Sequence, residues 1–119
     1  MSRPWLDLAE ETLGPDDTVE RTYSCNFNKQ NGYLCLGRKK MVFVNVKGFL
    51  RKSYEVLLDA PYSEVNEVKL VSRYNFEITH NGETHQLQTS DITAKIVVEG
   101  IEDVIKSSPV KPKIPISGL

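Results

Sequence analysis

From residue 18 to residue 88, apolar and polar side chains alternate with a period of two, interrupted at short intervals by glycine, asparagine or proline. The period then lengthens to that of a helix for one stretch, residues 91–106. Alternation puts successive side chains on opposite faces of a strand. Short strands joined by tight turns form an antiparallel meander with one face on a core. The chain is therefore expected to be α+β and mostly β, with one helix closing it.

The strands follow from the alternation. Residues 18–27 set Val19, Arg21, Tyr23, Cys25 and Phe27 against Glu20, Thr22 and Ser24. A turn over residues 28–32 leads to a strand at 33–37, with Leu34 and Leu36 on one face. The Arg38-Lys39 corner leads to a strand at 40–46, and Lys47-Gly48 closes the next hairpin, glycine supplying positive φ. A fourth strand is expected over 49–58, ended by Asp59-Ala60-Pro61. A turn and a strand on Val65, Val68 and Leu70 fill 62–72, and strands 74–79 and 83–88 flank Asn81-Gly82, a strong hairpin signal.

Two helices are expected. In residues 91–106, Ile92, Ile96, Val97, Ile101, Val104 and Ile105 recur at helical spacing, with Ser90 or Asp91 as the cap. Gly100 costs this helix roughly 1 kcal/mol relative to alanine, which a close approach to the sheet would explain. Residues 3–13 form a second, short helix with Ser2 as cap, Pro4 in the first turn and Gly14-Pro15 as the stop. The domain limits are 1–15 for helix and linker, 16–106 for the sheet domain and 107–119 for a disordered tail. In the tail, Lys106, Pro109 and Pro112 make a K-x-x-P-x-x-P string of SH3-ligand type, read here as a plain disordered terminus.

The third strand has apolar residues on both faces, Met41 and Phe43 on one, Val42, Val44 and Val46 on the other. A strand with one wet face does not read this way. Either the N-terminal helix covers the second face through Trp5 and Leu8, the preferred reading, or another subunit does.

A chain of 119 residues suits one domain with one core. No apolar run approaches the ~20 residues needed to span a bilayer, and the acidic start argues against a secretion signal. Cys25 and Cys35 are expected as reduced, buried thiols in a cytoplasmic protein, with a cross-strand disulfide as the alternative.

Charge is segregated. Between Arg21 and Tyr54 stand eight basic residues and no acidic one, while residues 1–20 hold six acids and residues 55–105 hold ten. The net charge of −1 hides this separation. One-sided fields bear on association more than on fold.

Seven strands in meander order with one C-terminal helix resemble the pleckstrin-homology (PH) layout. The segments Tyr23-Ser24-Cys25-Asn26-Phe27 and Gly32-Tyr33-Leu34-Cys35-Leu36-Gly37-Arg38-Lys39-Lys40-Met41-Val42-Phe43 resemble the "G-x-L-x-L-T-x-x-R-L-x-F" strand pair of GRAM and prokaryotic PH-like domains. Ala60-Pro61-Tyr62-Ser63-Glu64-Val65-Asn66-Glu67-Val68 resembles their "P-x-x-x-I-x-x-V" segment. Gly37 departs from the usual Thr, and Lys40 stands where Arg is usual. Trp5, Glu11, Leu13 and Asp17 loosely match the opening of the GLUE domain of ESCRT-II. The PH resemblance implies a partly open barrel of two near-orthogonal sheets plugged by the C-terminal helix. It also implies a non-catalytic binding module recruited to anionic membrane or phosphoinositide. The GLUE resemblance implies a protein partner such as ubiquitin, bound by a sheet face or the C-terminal helix.

If alternate turns share an end, those at 28–31, 47–48 and 72–74 lie together, and those at 38–39, 59–61 and 81–82 lie opposite. Lys29, Lys47, Arg51 and Arg73 are then the expected anion site, and Arg38, Lys39 and Lys40 a secondary basic patch. Several cations in one concavity hold phosphate through charge-assisted hydrogen bonds. The competing readings are a solvated basic face that protects strand edges, and diffuse attraction to an anionic partner.

No cofactor or metal is expected. His80 and His85 are staggered across the Asn81-Gly82 turn, and no Cys completes a zinc set. No nucleophile–base pattern or phosphate-cradling loop stands out, so catalysis is not expected. Tyr23, Phe27, Tyr33, Phe43 and Tyr54 interleave with the basic stretch as stacking platforms would, but most alternate into the core face, which argues against nucleic acid.

Overall fold

The computed structural model describes residues 3–112. Helix α1 (Pro4–Leu13) is followed by β1 (Val19–Phe27), β2 (Gln30–Gly37), β3 (Lys40–Lys47) and β4 (Ser53–Pro61). A 3-10 turn (Tyr62–Glu64) leads to β5 (Val65–Ser72), β6 (Asn75–His80), β7 (Glu83–Gln88) and α2 (Ala94–Ser107). All seven strands belong to one antiparallel sheet in the order β4-β3-β2-β1-β7-β6-β5. The sheet is not closed, because β4 and β5 are its two edges. Its halves meet where Asn26 pairs Gln88 and Phe27 pairs Leu87.

The inner faces of both halves line one core. Phe27, Leu34, Met41, Phe43 and Leu58 meet Val68, Phe76, Ile78 and Leu87 there, and α2 adds Ala94, Val97, Ile101 and Val104. The expected close approach of α2 to the sheet is present: a Cβ on Gly100 would stand 2.0 Å from the Tyr23 hydroxyl oxygen.

The outer face of β2, β3 and β4 carries a second apolar cluster. Ala9 and Leu13 of α1 bury against Cys35, Val42 and Val44, with Trp5, Leu8, Tyr33, Tyr54 and Val56 around them. This is the cover that the two-sided third strand required, and the chain supplies it itself. A bulge at Leu57, where Phe43 pairs Leu58 but Val44 pairs Val56, turns β4 over. Leu58 and Ala60 thus face the inner core while Val56 and Tyr54 face α1.

Several boundaries differ from expectation. The first turn contracts to Asn28-Lys29, both at positive φ (47° and 71°), so β2 begins at Gln30. This is the pattern of a two-residue hairpin turn whose twist matches its strands. Helix α2 starts after Thr93 rather than at Ser90 or Asp91, and no side chain caps it; the Arg73 carbonyl accepts from the Ala94 N–H instead. Past the helix, Ser108 is buried and donates its hydroxyl to the Arg38 carbonyl, and Val110 packs on the core, so packing extends into the expected tail. The Ser2 cap and tail residues 113–119 lie outside the described residues.

Cys25 and Cys35 are both free and buried, one in the inner core and one under α1. Opposite faces of the sheet separate the two thiols, so the disulfide alternative does not hold. Among the described residues, no helix is long and apolar enough to cross a membrane.

Candidate functional site

Folding undoes much of the charge segregation. Antiparallel pairing sets β3 beside the acids of β4, so Lys47 meets Glu55 at 2.8 Å and Lys40 meets Asp59 at 3.0 Å. Arg21 meets Asp103 of α2 at 3.5 Å. Lys40 Nζ also donates to the Thr12 carbonyl, fixing the end of α1. Of the eight cations, Lys29, Arg38, Lys39, Arg51 and Lys52 have no carboxylate partner among the described residues.

These five fall at two ends of the molecule. The β2–β3 register pairs Gly32 with Asn45, which carries Lys29 towards the Lys47 end of β3. Lys29, Lys47, Arg51 and Lys52 therefore share one end. Arg38 and Lys39 turn at the other. There Asp17 accepts from both of their backbone N–H groups, at 2.7 and 3.0 Å. Arg38 lines a cleft of about 230 Å³ with Arg21, Asp103 and Ser108.

Arg73 does not join Lys29. Because β7 runs antiparallel to β1, the β6–β7 turn at Asn81-Gly82 points the same way along β1 as Asn28-Lys29. The β5–β6 turn, with Arg73, points the opposite way, to the start of α2. Alternate turns would share an end in a flat meander; the antiparallel β1–β7 join reverses that order in the second half. Arg73 lies over the Tyr74 ring at 5.5 Å.

Residues 49–52, expected to begin the fourth strand, extend the loop from Gly48 instead, and β4 starts at Ser53. Phe49 is 91% exposed and Leu50 is 90% exposed, the highest values among the described large apolar side chains. Gly48 shapes the loop: its φ is +93°, and a Cβ there would stand 2.2 Å from the Arg51 carbonyl oxygen. The chain thus curls tightly and presents Phe49 and Leu50 between Lys47 and the Arg51-Lys52 pair. The sequence did carry a signal for this. Two adjacent large apolar residues break strict alternation, and one of them cannot face the core of a strand.

The neighbouring tip is firmly held. Asn28 exchanges backbone and side-chain bonds with Gln86: its N–H donates to the Gln86 carbonyl at 2.7 Å, and its Oδ1 accepts from the Gln86 N–H at 2.8 Å. Asn28 Nδ2 lies 3.4 Å from His85 Nδ1, and the buried His85 ring sits 4.7 Å from that of Phe27. Burial pushes the His85 imidazole below its ordinary pKa. His80 pairs with Glu64 at 3.3 Å, and Asn81 Nδ2 donates to the same carboxylate.

No family model and no curated protein matches this chain.

Proposed function

We propose that the chain is a non-catalytic recruitment module of PH-like type, its sheet halves bent towards orthogonal, that docks on anionic membrane through residues 47–52. The carrying observation is the pair Phe49 and Leu50, almost wholly in water at a loop tip and flanked by cations. A single exposed apolar side chain needs no explanation, but an adjacent pair held out by a constrained glycine does.

The magnitudes suit a reversible membrane contact. Full burial of a Phe or Leu side chain is worth about 1.5–3 kcal/mol, and each Lys or Arg near an anionic leaflet adds about 1 kcal/mol. Lys29, Arg51 and Lys52 are the cations available for this, since Lys47 already holds Glu55. An apolar anchor in a basic surround therefore fits better than a stereospecific head-group cradle built from Lys29, Lys47, Arg51 and Arg73. Localisation is accordingly cytoplasmic and peripheral to a membrane.

The test is co-sedimentation with neutral, phosphatidylserine and phosphoinositide vesicles at low and moderate salt. The wild type binds the anionic vesicles; Arg51→Glu with Lys52→Glu abolishes this, and Phe49→Ser with Leu50→Ser weakens it at every salt concentration. Absence of wild-type binding to all three vesicles refutes the reading.

A protein partner is the second reading, and a different surface favours it. Leu70 and Val71 on the edge strand β5, with Ile96 of α2, are exposed. Leu70, Val71, Ser72, Arg73, Thr93 and Lys95 line a groove of about 420 Å³. Titration with ubiquitin, read against Leu70→Asp, tests the narrower GLUE-like form.

A further inference from the structure

The end that carries Phe49 and Leu50 is not symmetric. Helix α1 runs away from it. Trp5, in the first turn, stacks on Tyr33 at 3.9 Å, and Tyr33 pairs with Val44. Leu13, in the last turn, lies against Gly37 at the opposite end. Tyr54, beside the loop and paired with Val46, belongs to the same outer cluster as Trp5 and Tyr33. Three half-buried aromatic rings therefore lie on the α1 side of the loop, with Arg3 exposed beside them.

The other side of the same end lacks this basic surround. The β6–β7 turn points that way and carries Glu83, with Glu64 held by both His80 and Asn81. An anionic surface attracts the Lys29, Arg51, Lys52 and Arg3 side and repels the Glu83 side. Asp7, exposed in the first turn of α1, stands only about 3 Å along the axis from Trp5 and offsets Arg3, so Lys29, Arg51 and Lys52 carry this preference. Glu10 and Glu11 stand roughly 7.5–9 Å further along the helix than Trp5, about one Debye length at physiological salt.

We infer that the domain sits on the bilayer tilted towards α1. Phe49 and Leu50 enter the acyl boundary while Trp5, Tyr33 and Tyr54 with Arg3 rest at head-group level. Trp and Tyr suit that zone, having an apolar body and a polar tip. This rests on the membrane reading of residues 47–52, and it adds a second contact and an orientation to it.

Trp5 is the single tryptophan, so it reports its own depth. The experiment mixes the full chain with phosphatidylserine vesicles made with ordinary or brominated phosphatidylcholine. Emission is read on samples whose binding is scored by co-sedimentation. A parallel variant, Trp5→Phe with Phe49→Trp, moves the reporter to the loop tip. The expected result is loss of emission on brominated vesicles for both proteins. Quenching of the loop reporter alone overturns the tilted contact and leaves the loop reading standing. Failure of both proteins to sediment with the vesicles overturns the two together.

Discussion

Trp5 lies flat on Tyr33, with ring centroids 3.9 Å apart and planes 12° from parallel. The stack fixes the first turn of α1 to the outer face of the sheet, where Leu8, Ala9 and Leu13 complete the cover. A ten-residue helix is marginal alone, so its order depends on this docking. Trp5→Ala is expected to destabilise the domain by about 2 kcal/mol, less than the loss of a fully buried tryptophan. Urea denaturation followed by circular dichroism measures it, and an unchanged midpoint would mean that the outer face is covered some other way.

Gly37 has a specific packing reason. A Cβ would stand 2.7 Å from Leu13 Cδ2 and 2.8 Å from Asp17 Oδ2. Asp17 in turn holds the Arg38 and Lys39 amides. Gly37→Thr is expected to cost about 1–3 kcal/mol through overpacking. The same substitution in a Leu13→Ala background should cost less, which a double-mutant cycle reads as coupling.

Gly100 inverts the ordinary rule for helices. Gly→Ala inside a helix normally stabilises by roughly 1 kcal/mol. Here the new methyl would meet the Tyr23 hydroxyl, so Gly100→Ala is expected to lower the melting temperature. Adding Tyr23→Leu should recover part of the loss. A gain from Gly100→Ala alone would show that Tyr23 swings aside freely.

His85 makes stability depend on pH. Burial lowers its folded-state pKa, so below the unfolded value of about 6.5 the unfolded chain takes up a proton that the folded chain resists. Stability is therefore lost as pH falls below that value and is whole above it. Urea midpoints at about pH 7.5 and about pH 5.5 should differ more for wild type than for His85→Gln. Equal differences would assign the acid sensitivity to other groups.

Both thiols should be inert in the native state. Burial pushes Cys25 and Cys35 up to about 12, so little thiolate forms at neutral pH. Ellman's reagent is expected to read no thiol before denaturant is added and two per chain afterwards. Rapid native labelling would mean that α1 or α2 opens readily.

The elements that alternation defines were legible in the sequence. The Asn81-Gly82 hairpin forms with His80 opposite Glu83 and His85 opposite Ile78, the expected stagger. The two-sided third strand correctly called for a cover by Trp5 and Leu8. The candidate site was less legible. Phe49 and Leu50 look like the start of a strand, and only the tight return of the chain at Gly48 keeps them in water. Counting turns puts Arg73 at the Lys29 end, because the count does not register the antiparallel β1–β7 join. Lys40 and Lys47 looked free because their acids, Asp59 and Glu55, stand in the next strand rather than nearby in sequence. Register decides such pairings, and local composition does not carry it.

The narrow join between β1 and β7 gives the molecule a grain. Across it the ladder thins to Asn26–Gln88 and Phe27–Leu87, reinforced by Asn28 on Gln86. Everywhere else in the sheet, neighbouring strands share longer seams. Backbone pairing between the halves rests on those few residues, so it is the shared core and α2, more than the ladder, that hold the two leaves together. Whatever tugs on the loop at residues 48–52 pulls on one leaf, while α2 begins against the other.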